Sequence, residues 1–170
     1  MTRIGVISDT HLSLTQDLRP LARLLANVFD GVELILHAGD ITDPDIFFEL
    51  FADMRVLAVA GNMDRFRDDA LSPPTRTVHV DGATIAVAHG HGYSGSLPDA
   101  LLPVFPGADA IVYGHTHVAL CERRKGVLVF NPGSPLRPRD HRGGSVGILT
   151  VKDGRVDGEI VELRSLRGTR

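Results

Sequence analysis

The amino-acid sequence predicts an α/β protein of four layers, a helix–sheet–sheet–helix (αββα) sandwich, and three observations carry that reading. The first half alternates short apolar runs with segments of helical periodicity. The second half consists largely of apolar runs joined by tight-turn signals. Nearly every histidine and carboxylate suited to a reactive site falls just past the end of one of these runs. Strands alternating with helices imply a parallel sheet with crossover connections, and strands joined through Asp-Gly imply hairpins. Two packed sheets are therefore expected, parallel-rich and then antiparallel in chain order, with the helices outside.

The elements follow in order. Residues 4–7 form a first apolar run, and Leu18, Leu21, Leu24, Leu25 and Val28 then recur at helical spacing within residues 17–29. Residues 32–36 are a second strand. A short helix at 44–51 is opened by Thr42 and Asp43 as candidate caps, and a third strand spans 55–60. Runs at 75–80 and 84–88 flank Asp81-Gly82. Further strands are expected at 110–113, 118–123 and 127–130, with a helix near 98–102. A last hairpin, 145–151 and 155–161, turns at Asp153-Gly154.

A length of 170 residues favours one domain, read as residues 1–163 with a polar tail at 164–170. With 43% hydrophobic and 23% charged residues and a net charge of −3, nothing argues for binding to long nucleic acid or to a membrane surface. Arg164, Arg167 and Arg170 read as a solvated tail. Cys121 is the single cysteine and reads as a small strand residue, which suits a reducing cytoplasm. No apolar stretch approaches the ~20 residues of a membrane span.

The chemistry lies in five short motifs: Asp9-Thr10-His11, Gly39-Asp40, Gly61-Asn62-Met63-Asp64, His89-Gly90-His91 and His115-Thr116-His117. Loops beyond strand ends can converge on one cleft. Seven donors then become available, Asp9, His11, Asp40, Asn62, His89, His115 and His117, all nitrogen or oxygen. One structural zinc needs four ligands and commonly uses cysteine. Seven donors suffice for two ions when a carboxylate bridges them. Mixed imidazole and carboxylate donors suit manganese, iron, zinc, cobalt or nickel better than magnesium or calcium. Two ions about 3.5–4 Å apart are a recurrent device for phosphoester hydrolysis, and the chain offers no Ser-His-Asp or Cys-His arrangement as a substitute.

Plainer roles stand beside these. Asp9 and Asp40 could cap helices, Asn62 could be a left-handed turn residue, and the histidines could be hydrogen-bonded residues at strand ends. Five motifs in phase favour the ligand reading. Asp64 is expected to orient the Asn62 loop by hydrogen bonding, and His37 to neighbour the site or pack beneath it. Asn131-Pro132-Gly133-Ser134 forms a tight turn and could pack behind the metal loops. Arg137 and Arg139 could reach a substrate phosphate, with solvated surface arginines as the alternative. Residues 92–96 are a lid or a loop leading to the next helix. His79 and His141 read as structural or solvent-facing.

In order, the five motifs resemble the signature of calcineurin-like metallophosphoesterases over residues 5 to about 140. The small size, the Gly-Asn-x-Asp form and Asn131-Pro132-Gly133-Ser134 are similar to the small bacterial and archaeal phosphodiesterase branch. The resemblance implies the four-layer αββα sandwich with two mixed sheets. It assigns Asp9, His11 and His117 to a first metal, Asn62, His89 and His115 to a second, and makes Asp40 the bridge. It puts His91 beside the substrate phosphate as a hydrogen-bond donor or proton source, so that His91, Asn62 and Asp40 form the catalytic set. Two divalent transition-metal ions are implied, manganese first, with hydrolysis by in-line attack of metal-bound hydroxide on a small phosphodiester.

Met63 stands where the larger protein phosphatases have histidine, in Gly-Asn-His-Glu, and where the small branch often has cysteine. It cannot donate a proton, so good leaving groups such as aryl or nucleoside phosphates are favoured. The alternatives are a phosphomonoesterase on small metabolites or phosphoproteins and a non-catalytic, protein-binding scaffold of the retromer type. The scaffold predicts gaps in the donor set, and this chain has none. Self-association into a homo-oligomer stays open.

Overall fold

The computed structural model describes residues 1–13, 15–64, 72–141 and 143–163, the side chain of Phe48 excepted. The tail expected at residues 164–170 lies outside the described residues. Ten strands and three helices follow one another as β1 (Thr2–Ile7), α1 (Arg19–Val28), β2 (Leu34–His37), α2 (Pro44–Leu50), β3 (Val56–Ala58), β4 (Thr75–Val80), β5 (Ala83–Ala88), α3 (Leu97–Leu101), β6 (Ala110–Val112), β7 (Leu120–Arg124), β8 (Val127–Asn131), β9 (Ser145–Lys152) and β10 (Arg155–Glu162). Each matches an expected element to within two or three residues at either end. At α2, Asp43 accepts the Ile46 amide and Pro44 starts the first turn, whereas Thr42 sends its hydroxyl to the Leu12 carbonyl instead of capping.

The strands form two five-stranded sheets, ordered β10-β9-β1-β2-β3 and β4-β5-β6-β8-β7. Both are mixed. In the first, β1, β2 and β3 run parallel and the β9–β10 hairpin adds antiparallel beside β1. In the second, β5, β6 and β8 run parallel between the antiparallel edges β4 and β7. The expectation of an antiparallel second sheet is thus corrected in two places. The α3 crossover makes β5 and β6 parallel. The C-terminal hairpin returns to the first sheet, where β9 pairs with β1 and its two faces are covered by the second sheet and by the helices.

Three apolar clusters separate the four layers. Ile4, Val6, Leu34 and Leu36 of the first sheet meet Ile85, Val87, Val112 and Phe130 of the second. Ile7, Ile35 and Ile148, on the opposite face of the first sheet, meet Leu21 and Leu25 of α1 and Phe47 of α2. Ala86, Ile111 and Val129 meet Leu97 and Leu101 of α3. The alternation along β1 is the period of a strand covered on both sides. Phe130 is fully buried and presses so closely on β9 that a Cβ at Gly147 would fall inside its ring. The C-terminal ends of β1, β2, β3, β5 and β6 meet along one edge of the sandwich, and all five motif loops leave from there.

Candidate metal centre

Three of the five motif loops reach the site through an unusual backbone. Asp9, His11, Asp40, Thr42, His115 and His117 all have positive φ, from 45 to 67°. For residues other than glycine this left-handed conformation is uncommon, and it persists where surrounding contacts enforce it. The contacts are visible. Asp9 and His11 donate their amides to the Gly39 and Asp40 carbonyls at 3.0 Å each. The Asp64 carboxylate accepts amides from Asp40 at 3.0 Å, Thr42 at 2.8 Å and Gly61 at 2.7 Å, so it holds two loops rather than one. A Cβ at Gly61 would sit inside the Asp40 carboxylate and amide, and one at Gly114 inside the Ser8 hydroxyl. Both glycines let neighbouring loops touch.

The donors converge. His117 Nε2 lies 3.3 Å from Asp9 Oδ1 and 3.3 Å from His11 Nε2. Asp40 Oδ2 lies 3.6 Å from His11 Nε2 and 3.5 Å from His89 Nε2. Asn62 Oδ1 is 3.1 Å from both His89 Nε2 and His115 Nδ1. Within this cluster Asp9, His11 and His117 form one group of mutually close donor atoms, and Asp9, Asp40 and His89 another. All seven expected donors therefore meet at one place.

Second partners set the ring tautomers. His89 Nδ1–H donates to the Ala38 carbonyl at 2.7 Å, and His117 Nδ1–H to the Arg137 carbonyl at 2.6 Å. Their Nε2 lone pairs are left facing carboxylate and amide oxygens. Acceptors facing acceptors repel until a proton or a divalent cation lies between them. Neighbouring ligands around a tetrahedral ion with bonds of ~2.1 Å stand roughly 3.4 Å apart, the spacing found here. The residues present fit divalent ions.

Electrostatics agree with a crowded, partly buried cluster. Burial raises the Asp9 carboxyl above its ordinary range, against the lowering effects of Ser8, His89 and His117. Burial would also raise Asp40, but the hydrogen bond and charge of His89 outweigh it and hold that carboxyl low. His89 moves up: burial opposes its charge, and the Asp40 carboxylate prevails. Burial lowers His11, with His117 and Arg137 adding to the effect, and lowers His115, with His89, His91 and Arg139 adding to it.

The remaining expected residues divide. His37 is fully buried beneath the site, its Nδ1 accepting the Gly39 amide at 3.1 Å and its Nε2–H donating to Thr10 Oγ1 at 3.1 Å. Asn131 and Ser134 do support the loops from behind, through Asn131 Nδ2 to the Gly114 carbonyl (2.9 Å) and Ser134 Oγ to the Asp9 carbonyl (2.8 Å). His91 is exposed beside the second donor set, its ring centroid 5.4 Å from that of His89 and 6.5 Å from that of His115. A cleft of about 370 Å³ opens over the donors, with Met63, Arg137 and Arg139 completing its lining. Residues 92–96 are exposed and lead into α3 without lining that cleft. His79 pairs with the Thr84 hydroxyl, away from the cleft. Sequence reading missed Ser8, whose hydroxyl donates to Asp9 Oδ2 at 2.6 Å; its position directly before Asp9 was the available signal.

Residues 2–154 match the profile of the calcineurin-like phosphoesterase superfamily domain. A probable metallophosphoesterase of Methanothermobacter thermautotrophicus is 38% identical over 160 residues, covering 93% of this chain and 91% of the relative. A phosphodiesterase of Methanocaldococcus jannaschii is 28% identical over 179 residues, covering 96% and 98%. Among solved structures, Entamoeba histolytica Vps29 in complex with Zn²⁺ superposes with a TM-score of 0.70 at 20% identity, covering 95% of this chain and 99% of that one; at such identity the likeness is one of fold. Five loops that carry candidate donors on a mixed-sheet sandwich and a profile match over most of the sequence have one reading: the chain belongs to the calcineurin-like phosphoesterase superfamily.

Proposed function

We propose that the protein is a phosphodiesterase of the cytoplasm that works with two divalent transition-metal ions, manganese first among them. The observation that carries this reading is the position of Asp40, whose Oδ2 stands almost equally far from His11 of one donor set and His89 of the other. Asp9, His11 and His117 would hold one ion, Asn62, His89 and His115 the second, with Asp40 shared. Bound there, such a pair supplies a water activated at neutral pH and positive charge for the phosphoryl oxygens.

The chain's own groups do the rest. Asp64 fixes the two loops that carry Asp40 and Asn62. Met63 gives its amide to Asp40 Oδ1 at 2.8 Å and its thioether to the cleft, so no proton comes from that position. His91 is the group to donate to a phosphoryl or leaving oxygen. A cleft of about 370 Å³ suits a small phosphoester, and Met63 favours one with a stable leaving anion. Relatives that carry the name phosphodiesterase support the diester reading over the monoester one.

The test is a matrix of metal ions against bis-aryl phosphate, mono-aryl phosphate and cyclic nucleotides, with His117→Ala as the blank. Expected are faster turnover of the diester than of the monoester, the highest rate with manganese, and loss of activity in the variant. A monoester turned over as fast as the diester would overturn the phosphodiesterase reading. Undiminished activity in the variant would overturn the metal assignment.

A further inference from the structure

Two arginines share the cleft with the metal donors and are not spoken for by them. Arg137 and Arg139 are exposed side chains that line it together with His11, Asp40, His115 and His117. Elsewhere Arg19, Arg123, Arg124 and Arg155 each meet a carboxylate within 4.0 Å. Neither cleft arginine has a carboxylate partner among the described residues.

Their backbone is anchored to the donor cluster at three points. The Arg137 carbonyl accepts from His117 Nδ1 at 2.6 Å, and the Arg139 amide donates to the His117 carbonyl at 3.1 Å. The Arg137 amide donates to Ser134 Oγ at 2.9 Å, and that hydroxyl donates to the Asp9 carbonyl. Pro135 and Pro138 further restrict the segment. The backbone that carries the two arginines is thus fixed at the rim, and their side chains are exposed.

Charge counting shows what they could read. Two divalent ions, set against the carboxylates of Asp9 and Asp40 and a bound hydroxide, already balance the single negative charge of a phosphodiester. A guanidinium pair adds little for that group, yet its planar fork matches a phosphate with two or more free oxygens. We propose that Arg137 and Arg139 form an anion-reading subsite at the rim of the cleft, selecting phosphodiesters that carry a second, terminal phosphate. This rests on the phosphodiesterase reading above.

The probe is a matched pair of chromogenic diesters, thymidine 5′-(p-nitrophenyl phosphate) with and without a 3′-phosphate, assayed on wild type and on the Arg137→Gln/Arg139→Gln double variant. In wild type the 3′-phosphorylated diester should be preferred by at least about tenfold in kcat/KM, chiefly through KM, as expected for charge-assisted hydrogen bonds. In the double variant the ratio should fall to about one. A second readout needs no turnover: titration of thymidine 3′,5′-bisphosphate into the protein in EDTA, where wild type should bind at least about tenfold more tightly than the variant. Equal kcat/KM for the two diesters in wild type, or equal bisphosphate affinity in wild type and variant, would overturn the subsite while leaving phosphodiester hydrolysis standing. Failure to turn over either diester with any divalent ion would instead overturn the underlying activity.

Discussion

His37 hydrogen-bonds Thr10 and the Gly39 amide beneath the candidate donors, and burial pushes its imidazole down to about 3 from an ordinary 6.5. Between those values the unfolded chain holds a proton that the folded one does not. Stability therefore rises with pH across this window, is complete above about 6.5, and is lost as the pH falls toward 3. From pH 6.5 to 4.5 this one residue should remove about 2–3 kcal/mol. Urea melts should show His37→Gln less stable at pH 7 but flatter with pH; parallel slopes for the two proteins would contradict it. Asp64 acts differently, by carrying three backbone amides. Asp64→Ala should weaken manganese binding roughly ten- to a hundredfold in calorimetry while the chain still unfolds cooperatively. At this scale the convergence of the seven candidate donors was legible, because imidazole and carboxylate repeated just past strand ends point to one shared edge. Ser8 was not, because a serine before an aspartate is common and its hydrogen bond exists only in three dimensions.

At the scale of elements, each donor loop is a strand end that turns abruptly, and three of the five loops repeat the same device: left-handed backbone at Asp9 and His11, at Asp40 and Thr42, and at His115 and His117. Such turns leave little slack. Gly61→Ala would drive a methyl group into the Asp40 amide, and since backbone cannot swing aside, the Asn62 loop must separate from the Asp40 loop. The expected outcome is a loss of manganese affinity of about tenfold or more together with a lower urea midpoint; affinity equal to wild type would show that the loops give way to each other. Periodicity revealed α1 and most strands, since apolar spacing is local information. It did not reveal where β9 pairs. An Asp-Gly turn specifies a hairpin but not the sheet it joins, and the clue, an apolar run covered on both faces, needed to be weighed against the partner available beside β1.

For the whole molecule, the donors divide between the sheets. Asp9, His11, Asp40 and Asn62 follow strands of one, and His89, His115 and His117 follow strands of the other. Any ion held by both sets cross-links the sandwich at the edge opposite its hairpins. Adding manganese at about a hundred times its dissociation constant should stabilise the fold by about 2.7 kcal/mol, read as a rise in Tm that EDTA reverses; an unchanged Tm would mean that no ion binds the folded chain in preference to the unfolded one. The interior has its own lock in Phe130 against Gly147. Gly147→Ala should cost about 1–3 kcal/mol in urea melts by overpacking, with no change in metal affinity.

The central place of β1 also has a meaning in time. Gly5 pairs with Ile148, so the strand that delivers Asp9 and His11 waits for its second neighbour until a segment more than 140 residues later has been made. Until then β1 is an open edge and the donor cluster lacks its frame. An ion bound by these donors would therefore meet its full frame only once β9 has paired with β1.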